Sequence, residues 1–290
     1  MKKQIFASSV ASVLVVLTSL AGSPGGNALA KSSYTAASTI AGCAPSQLHL
    51  YLANQLTVAT DSPAYSPWFE SNHPKNGNGY ESSVAYAIAA ELGFKKSQVH
   101  WMIEPFDSSY APGPKTFDFD INEITVTAAR ATAVTFSDGY YNDHEALITV
   151  KGSKVIKSHS PSQLKKYRYG DQVGTTSLAY IEQKIRPTQT PAVYNTLNDV
   201  ASALSNHTIT GFVTDAITAQ YMASSGEVKH GVVIGQFPSQ DEVYGLLFQK
   251  GNPLVSCVDE AITALKTKGT LSKLQNKWLG IYNKIPTIQP

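Results

Sequence analysis

The sequence predicts an α/β protein folded in two lobes. Three observations carry this. Residues 56–60, 80–92 and 99–103 read as strand, helix and strand, a spacing that implies a parallel pair joined by a crossover helix. The alternation resumes later, with strands at 169–174 and 208–214 and helices at 177–185 and 216–222. About 260 residues follow the N-terminal apolar segment, enough for two lobes with separate cores.

The N-terminus reads as a secretory signal. Lys2 and Lys3 form its charged region, Val13-Leu14-Val15-Val16-Leu17 its apolar centre, and Ala28-Leu29-Ala30 a small-x-small cleavage site. Residues 1–30 are expected to be removed, leaving an exported chain. The signal takes two of the 23 basic residues and none of the 21 acidic ones, so the exported chain is formally neutral. It has no basic run, which argues against a nucleic-acid partner.

Residues 31–47 are rich in Ser, Thr and Ala and read as a flexible leader. Export permits a disulfide between the two cysteines, Cys43 and Cys257. Ile40-Ala41-Gly42-Cys43 also looks like a lipid-attachment motif. About twenty residues separate it from the apolar segment, which favours the bridge. Two cysteines and seven scattered histidines make no zinc pattern, and no cofactor is expected.

The first strand, 56–60, leads into a polar loop with Gly77 and Gly79. Val84, Ile88 and Leu92 then form one stripe of a helix that Gly93 stops. Pro112-Gly113-Pro114 forbids a regular helix over 108–115. Ile124 and Val126 alternate with polar neighbours as in a strand, and Thr127 is a candidate N-cap for a short helix from Ala128. Residues 145–150 read as a strand leaving the first lobe. Residues 198–204 are expected to be helical, 231–234 and 243–248 strands, and 253–268 and 271–279 the closing helices. The expected division is 48–148 and 244–290 for the first lobe and 149–243 for the second.

Arg130 falls in the first turn of the short helix after Thr127. A lone cation there opposes the helix dipole. An anionic ligand would explain it, since a guanidinium, a threonine hydroxyl and free backbone N–H groups can converge on one carboxylate. A solvated surface arginine explains it as well. Gly174-Thr175-Thr176 stands at a strand-to-helix turn, suited either to an anion or to an ordinary cap. Asp215 ends a buried strand, where it can meet a ligand or cap the helix from Ala216.

Thr125, Arg130, Phe136-Ser137-Asp138 and Tyr140-Tyr141 together resemble the signature of the bacterial extracellular solute-binding proteins of family 3, the polar amino-acid-binding proteins of ABC importers. The resemblance extends over about residues 48 to 282. It implies the two-lobed periplasmic-binding-protein fold of type II, with two hinge crossings and the ligand in the interlobe cleft. It assigns Thr125 and Arg130 to the ligand's α-carboxylate, with Gly174, Thr175 and Thr176 closing over that group from the second lobe. Asp215, within the matching block GFVTDAITAQYM, is assigned to the α-ammonium. Asp61, Tyr65, Pro67 and Trp68 match a loop that contributes an acid and an aromatic wall, with one extra residue between Asp61 and Tyr65; Phe106 matches a second aromatic wall.

Glu123 departs from the pattern, since relatives often carry Gly or Ser there. Turned inward it would meet a cationic group or act as a general acid; turned outward it is a surface residue. The leading expectation is a monomeric, non-enzymatic receptor that captures an amino acid and docks on an ABC permease. A dehydratase on the same scaffold, with Glu123 as its acid, is the second reading. A sensor domain is the third, and the short remainder after Trp278-Leu279-Gly280 has no apolar span to support it.

Overall fold

A computed structural model describes residues 40–158, 160–238 and 242–288. The export signal and the first part of the leader lie outside the described residues.

In chain order, β1 (Leu56–Thr60) leads to α1 (Tyr80–Glu91), β2 (Val99–Ile103), α2 (Phe106–Ser109), β3 (Phe119–Asp120) and β4 (Val134–Asp143). Then come β5 (Glu145–Val150), α3 (Pro161–Leu164), β6 (Gly170–Gln172), α4 (Thr176–Tyr180), β7 (Ala192–Tyr194) and α5 (Leu197–Ser205). The chain closes with β8 (Phe212–Asp215), α6 (Ala216–Ser225), β9 (Gly231–Gln236), β10 (Glu242–Gln249), α7 (Leu254–Thr267) and α8 (Thr270–Leu279).

The first sheet has the order β2-β1-β3-β10-β4. Its β1, β2 and β3 are parallel, and β10 runs antiparallel to β3 and β4. Every residue of β1 is buried, as expected of a parallel strand covered on both faces. Val84, Ile88 and Leu92 pack on this sheet together with Phe119, Phe248 and, from α7, Val258 and Ile262. Each such burial contributes roughly 1.5–3 kcal/mol. The start of α1 is held by the preceding loop: Tyr80 N–H donates to Pro67 O and Glu81 N–H to Trp68 O. Gly79 makes this possible, because a Cβ there would lie 2.3 Å from Trp68 O.

The second sheet has the order β8-β5-β9, all antiparallel. The parallel pair β6–β7 adjoins it through a bridge between Tyr169 and Gly211. Ile148, Val200, Leu204, Phe212 and Met222 fill one face, and Leu147, Tyr169, Ile181 and Val213 the other. Thus β5, read from sequence as leaving the first lobe, is the central strand of the second sheet. The chain changes sheets at His144 and returns between Phe237 and β10. Beyond α8 the tail crosses once more: Pro286 O accepts from Gln236 N–H, and Ile288 N–H donates to Gln236 O along the outer edge of β9.

Two local expectations change. Ile124 and Val126 are not in a strand. β3 stops at Asp120, and Glu123 adopts the left-handed region (φ 52°), which breaks the extended run. The helix expected from Ala128 is a single 3₁₀ turn, Arg130–Thr132, although Thr127 Oγ1 does accept the Arg130 N–H at 3.1 Å. Of the segment read as a flexible leader, Ile40 and Cys43 are buried in the first core. Cys43 is bridged to Cys257 in α7, with Cα atoms 5.7 Å apart. The same sulfur cannot also carry a lipid.

Candidate functional site

The C-terminal ends of β1, β3, β6 and β8 open on one cleft between the two sheets, where α/β proteins place their ligands. The first half supplies Asp61, Tyr65, Phe106 and Glu123; the second supplies Thr175, Thr176 and Asp215.

Arg130, 8% exposed, is not among the residues that line this cleft and lies behind its Phe106. Its Nη1 donates to Thr125 O at 2.8 Å and its Nη2 to Gly174 O at 3.0 Å, so the guanidinium touches both halves. Phe106 and Tyr110 pack against it, with ring centroids 5.3 and 5.0 Å from Cζ. A guanidinium has five N–H groups, and the two carbonyls leave donors for an anion. Burial lowers its pKa, opposed by Tyr110, Glu242, Asp215 and Glu145. Thr125 is buried beside it, at 6% exposure.

Gly174 has φ 74°, and a Cβ there would lie 1.8 Å from Tyr110 Oη, so its missing side chain is what lets the halves approach. Thr175 acts as the helix cap: its Oγ1 accepts from Leu178 N–H at 3.0 Å and donates to Gln172 O at 2.9 Å. Thr176, the next residue, also lines the cleft.

Asp215 sits at the cap position of α6 but makes no side-chain cap bond. Its carboxyl instead lines the cleft together with Glu123, while the Tyr244 hydroxyl donates to the neighbouring Asp143 Oδ2 at 3.3 Å. Burial pushes the Asp215 pKa up to about 6, with Glu242 adding to the rise. Glu123 faces inward. Thr218 Oγ1 donates to its Oε2 at 2.6 Å, and its own N–H donates to Glu81 Oε1 at 2.7 Å. Burial, then the charges of Asp215 and Glu81, hold its carboxyl well above the usual carboxylate range. Glu81 itself is pushed up to about 7 by burial, although the Tyr140 hydroxyl donates to it.

The aromatic residues divide. Tyr65 lines the cleft, and its hydroxyl donates to Asn198 Oδ1 across it. Phe106 lines it too. Trp68 does not: it is 0% exposed in the first core, edge-on to Tyr80, Tyr141 and Tyr244. Its Nε1 donates to Thr218 Oγ1 at 2.7 Å. The Pro67 beside it and the loop position suggested a cleft wall, but the ring turns into the sheet-facing core. Asp61 stays on the cleft wall, accepting from Ser62 N–H at 2.6 Å. Thr218, Glu81, Tyr244 and Asn198 escaped the sequence reading. Only Thr218 left a trace, three residues after Asp215 and so on the same helix face.

A cleft with a buried guanidinium behind one wall and acids from both halves in its lining suits a small charged solute. The family model for bacterial extracellular solute-binding proteins, family 3, matches residues 56–281. The chain belongs to this family. As a family 3 protein it resembles the arginine-binding extracellular protein ArtP of Bacillus subtilis, 24% identical over 227 residues, with 75% of this chain and 83% of that one covered. It also resembles the L-cystine-binding protein TcyA of the same organism, 27% identical over 241 residues and covering 78% and 81%. Among solved structures, an ancestral arginine-binding protein bound to arginine superposes with a TM-score of 0.66 at 27% identity, covering 78% of this chain and 98% of that one. The type II two-lobed fold is therefore shared with solute-binding family 3 proteins.

Proposed function

We propose that this family 3 protein captures an amino acid between its lobes and delivers it to an ABC permease. The observation that carries the reading is the polarity of the cleft: Arg130 behind one wall, Asp215 with Glu123 in the lining. A buried charge without a partner is very costly, so a zwitterion that pairs both poles is the economical occupant. Arg130 takes the α-carboxylate with Thr125 and Thr176, and Asp215 takes the α-ammonium. Tyr65 and Phe106 flank the side chain, with Asp61 on the same wall. The excess of carboxyls over cations along the cleft favours a basic amino acid, in keeping with the arginine named for two of the similar proteins.

In this reading the lobes close about the two passages at His144 and before β10, driven by a ligand that contacts both. The site is complete within one chain, which suits a monomer. Its work is binding rather than catalysis, after export by the segment 1–30.

A thermal-shift screen with L-arginine, L-glutamine and L-cystine tests this. A ligand at a hundred times its Kd stabilises the folded state by about 2.7 kcal/mol, a rise of roughly 5–10 °C at this size. At least one of the three should produce it. If none does, or if a carboxylic acid lacking an ammonium does as well, the reading fails.

Gly174→Ala supplies a second test. The added Cβ meets the Tyr110 hydroxyl and so opposes closure rather than folding. Calorimetry should show binding weakened about tenfold, while stability falls by only about 1 kcal/mol from the positive φ. Unchanged affinity would separate the closing of the lobes from binding.

A further inference from the structure

One carboxylate suffices for an ammonium, yet beside Asp215 this cleft presents a second from the other half, Glu123. Glu123 comes from the first half and Asp215 from the second; both line the cleft, and Glu123 is bonded to Thr218 of the helix that Asp215 caps. Two ionised carboxylates so placed repel, and a shared proton relieves the repulsion.

The surrounding donors fix where that proton sits. Trp68 Nε1 can only donate, and it donates to Thr218 Oγ1 at 2.7 Å. Thr218 has one hydroxyl hydrogen and gives it to Glu123 Oε2 at 2.6 Å. With Oε2 accepting from Thr218, Oε1 is the oxygen open to a proton shared with Asp215. The relay passes from the first half to the second and back. Trp68, wholly buried, is a positioning residue for the cleft.

Glu145, paired with Asp215 across the β5–β8 ladder, and Asp171 of β6 are buried acids that face Asp215. Glu81 of α1 accepts the Glu123 N–H. Asp143 at the end of β4 adds negative charge. From β10, the Tyr244 hydroxyl donates to Asp143 Oδ2 at 3.3 Å, and Glu242 adds a further acid. Arg130 is the cation that acts on Asp215. Acids outnumber it, and burial strengthens their mutual repulsion, so both carboxyls resist full ionisation.

We propose that Glu123 and Asp215 form a two-carboxyl seat that holds one proton while the cleft is empty and exchanges it for the ligand's ammonium, so that capture releases a proton. This rests on the amino-acid receptor reading. In the exchange the Glu123 O–H bond breaks and the proton leaves to solvent. The ammonium N–H groups then donate to both carboxylates.

The direction of the pH dependence follows. The occupied seat is fully ionised, so it binds protons less tightly than the empty one. Affinity rises about tenfold per pH unit while the empty pair holds its proton, and levels off above its pKa.

Titration calorimetry with L-arginine as the probe, in two buffers of different ionisation enthalpy, reads the proton directly. The native protein should release about one proton per ligand below the plateau. Glu123→Gln places a permanent N–H donor against Asp215 and mimics the protonated acid. It should bind about tenfold or more weakly, with no proton release and no pH slope. Heats independent of buffer in the native protein would overturn the proposal. So would release that survives Glu123→Gln but vanishes in Glu81→Gln. If no amino acid gives heat, the receptor reading fails, and infrared spectroscopy of the empty protein decides the seat alone. A protonated-carboxyl band removed by both Glu123→Gln and Asp215→Asn supports it, and a band that persists in both refutes it.

Discussion

Arg130→Ala should remove the ligand-induced rise in melting temperature altogether, at amino-acid concentrations that saturate the native protein. The guanidinium is 8% exposed, and a ligand carboxylate bound there would be largely desolvated. Removing one partner of such a pair costs about 2–5 kcal/mol, because the other charge stays buried without a counterpart. That is roughly a thirtyfold to several-thousandfold loss of affinity. The fold should survive. Only two hydrogen bonds are lost, to the carbonyls of Thr125 and Gly174, and the space left by the side chain admits water to replace them. Arg130→Lys restores the charge without the planar fork and should recover only part of the affinity. Equilibrium dialysis against labelled L-arginine measures all three proteins on one scale. Wild-type affinity in Arg130→Ala would place the carboxylate elsewhere.

The double substitution Cys43→Ser with Cys257→Ser should cost about 2–5 kcal/mol of stability. The bridge spans 214 residues, and closing so long a loop restricts the unfolded chain strongly. In the folded state it ties the segment around Ile40 to α7, where both Ile40 and Cys43 are buried against the first core. Denaturant titrations of the native, reduced and substituted proteins measure the effect, and the last two should agree. Equal midpoints for all three would mean that the core holds the segment without help. Ligand affinity should change little, since the bridge lies outside the cleft lining.

Legibility in the sequence followed periodicity. β1, β2, α1, α7 and α8 were readable to within a residue or two because apolar spacing and glycine stops mark them. β7 was not: it has three residues, follows Pro191 and carries an exposed Val193, so nothing in it signals burial. The stretch around Glu123 misled in one respect. Its alternation resembles a strand, but one left-handed residue bends the chain and turns the acid inward. Of the site, Arg130 and Asp215 stand out in the sequence as charges at the ends of elements, but each also fits a plainer role, as a surface arginine or a helix cap, and only the family resemblance assigns them to a ligand. Tyr244 and Glu81 were invisible because a strand or helix pattern does not say which side chain reaches a neighbour from another sheet position. Trp68 shows the converse: its loop position suggested a wall of the cleft, and packing put the ring in the core.

The most direct measurement is a crystal structure of the protein with L-arginine. The zwitterion grip requires the α-carboxylate on the Arg130 guanidinium and the α-ammonium between Asp215 and Glu123, with both lobes touching one molecule. A ligand bound with its carboxylate away from Arg130, or held by one lobe alone, would contradict it.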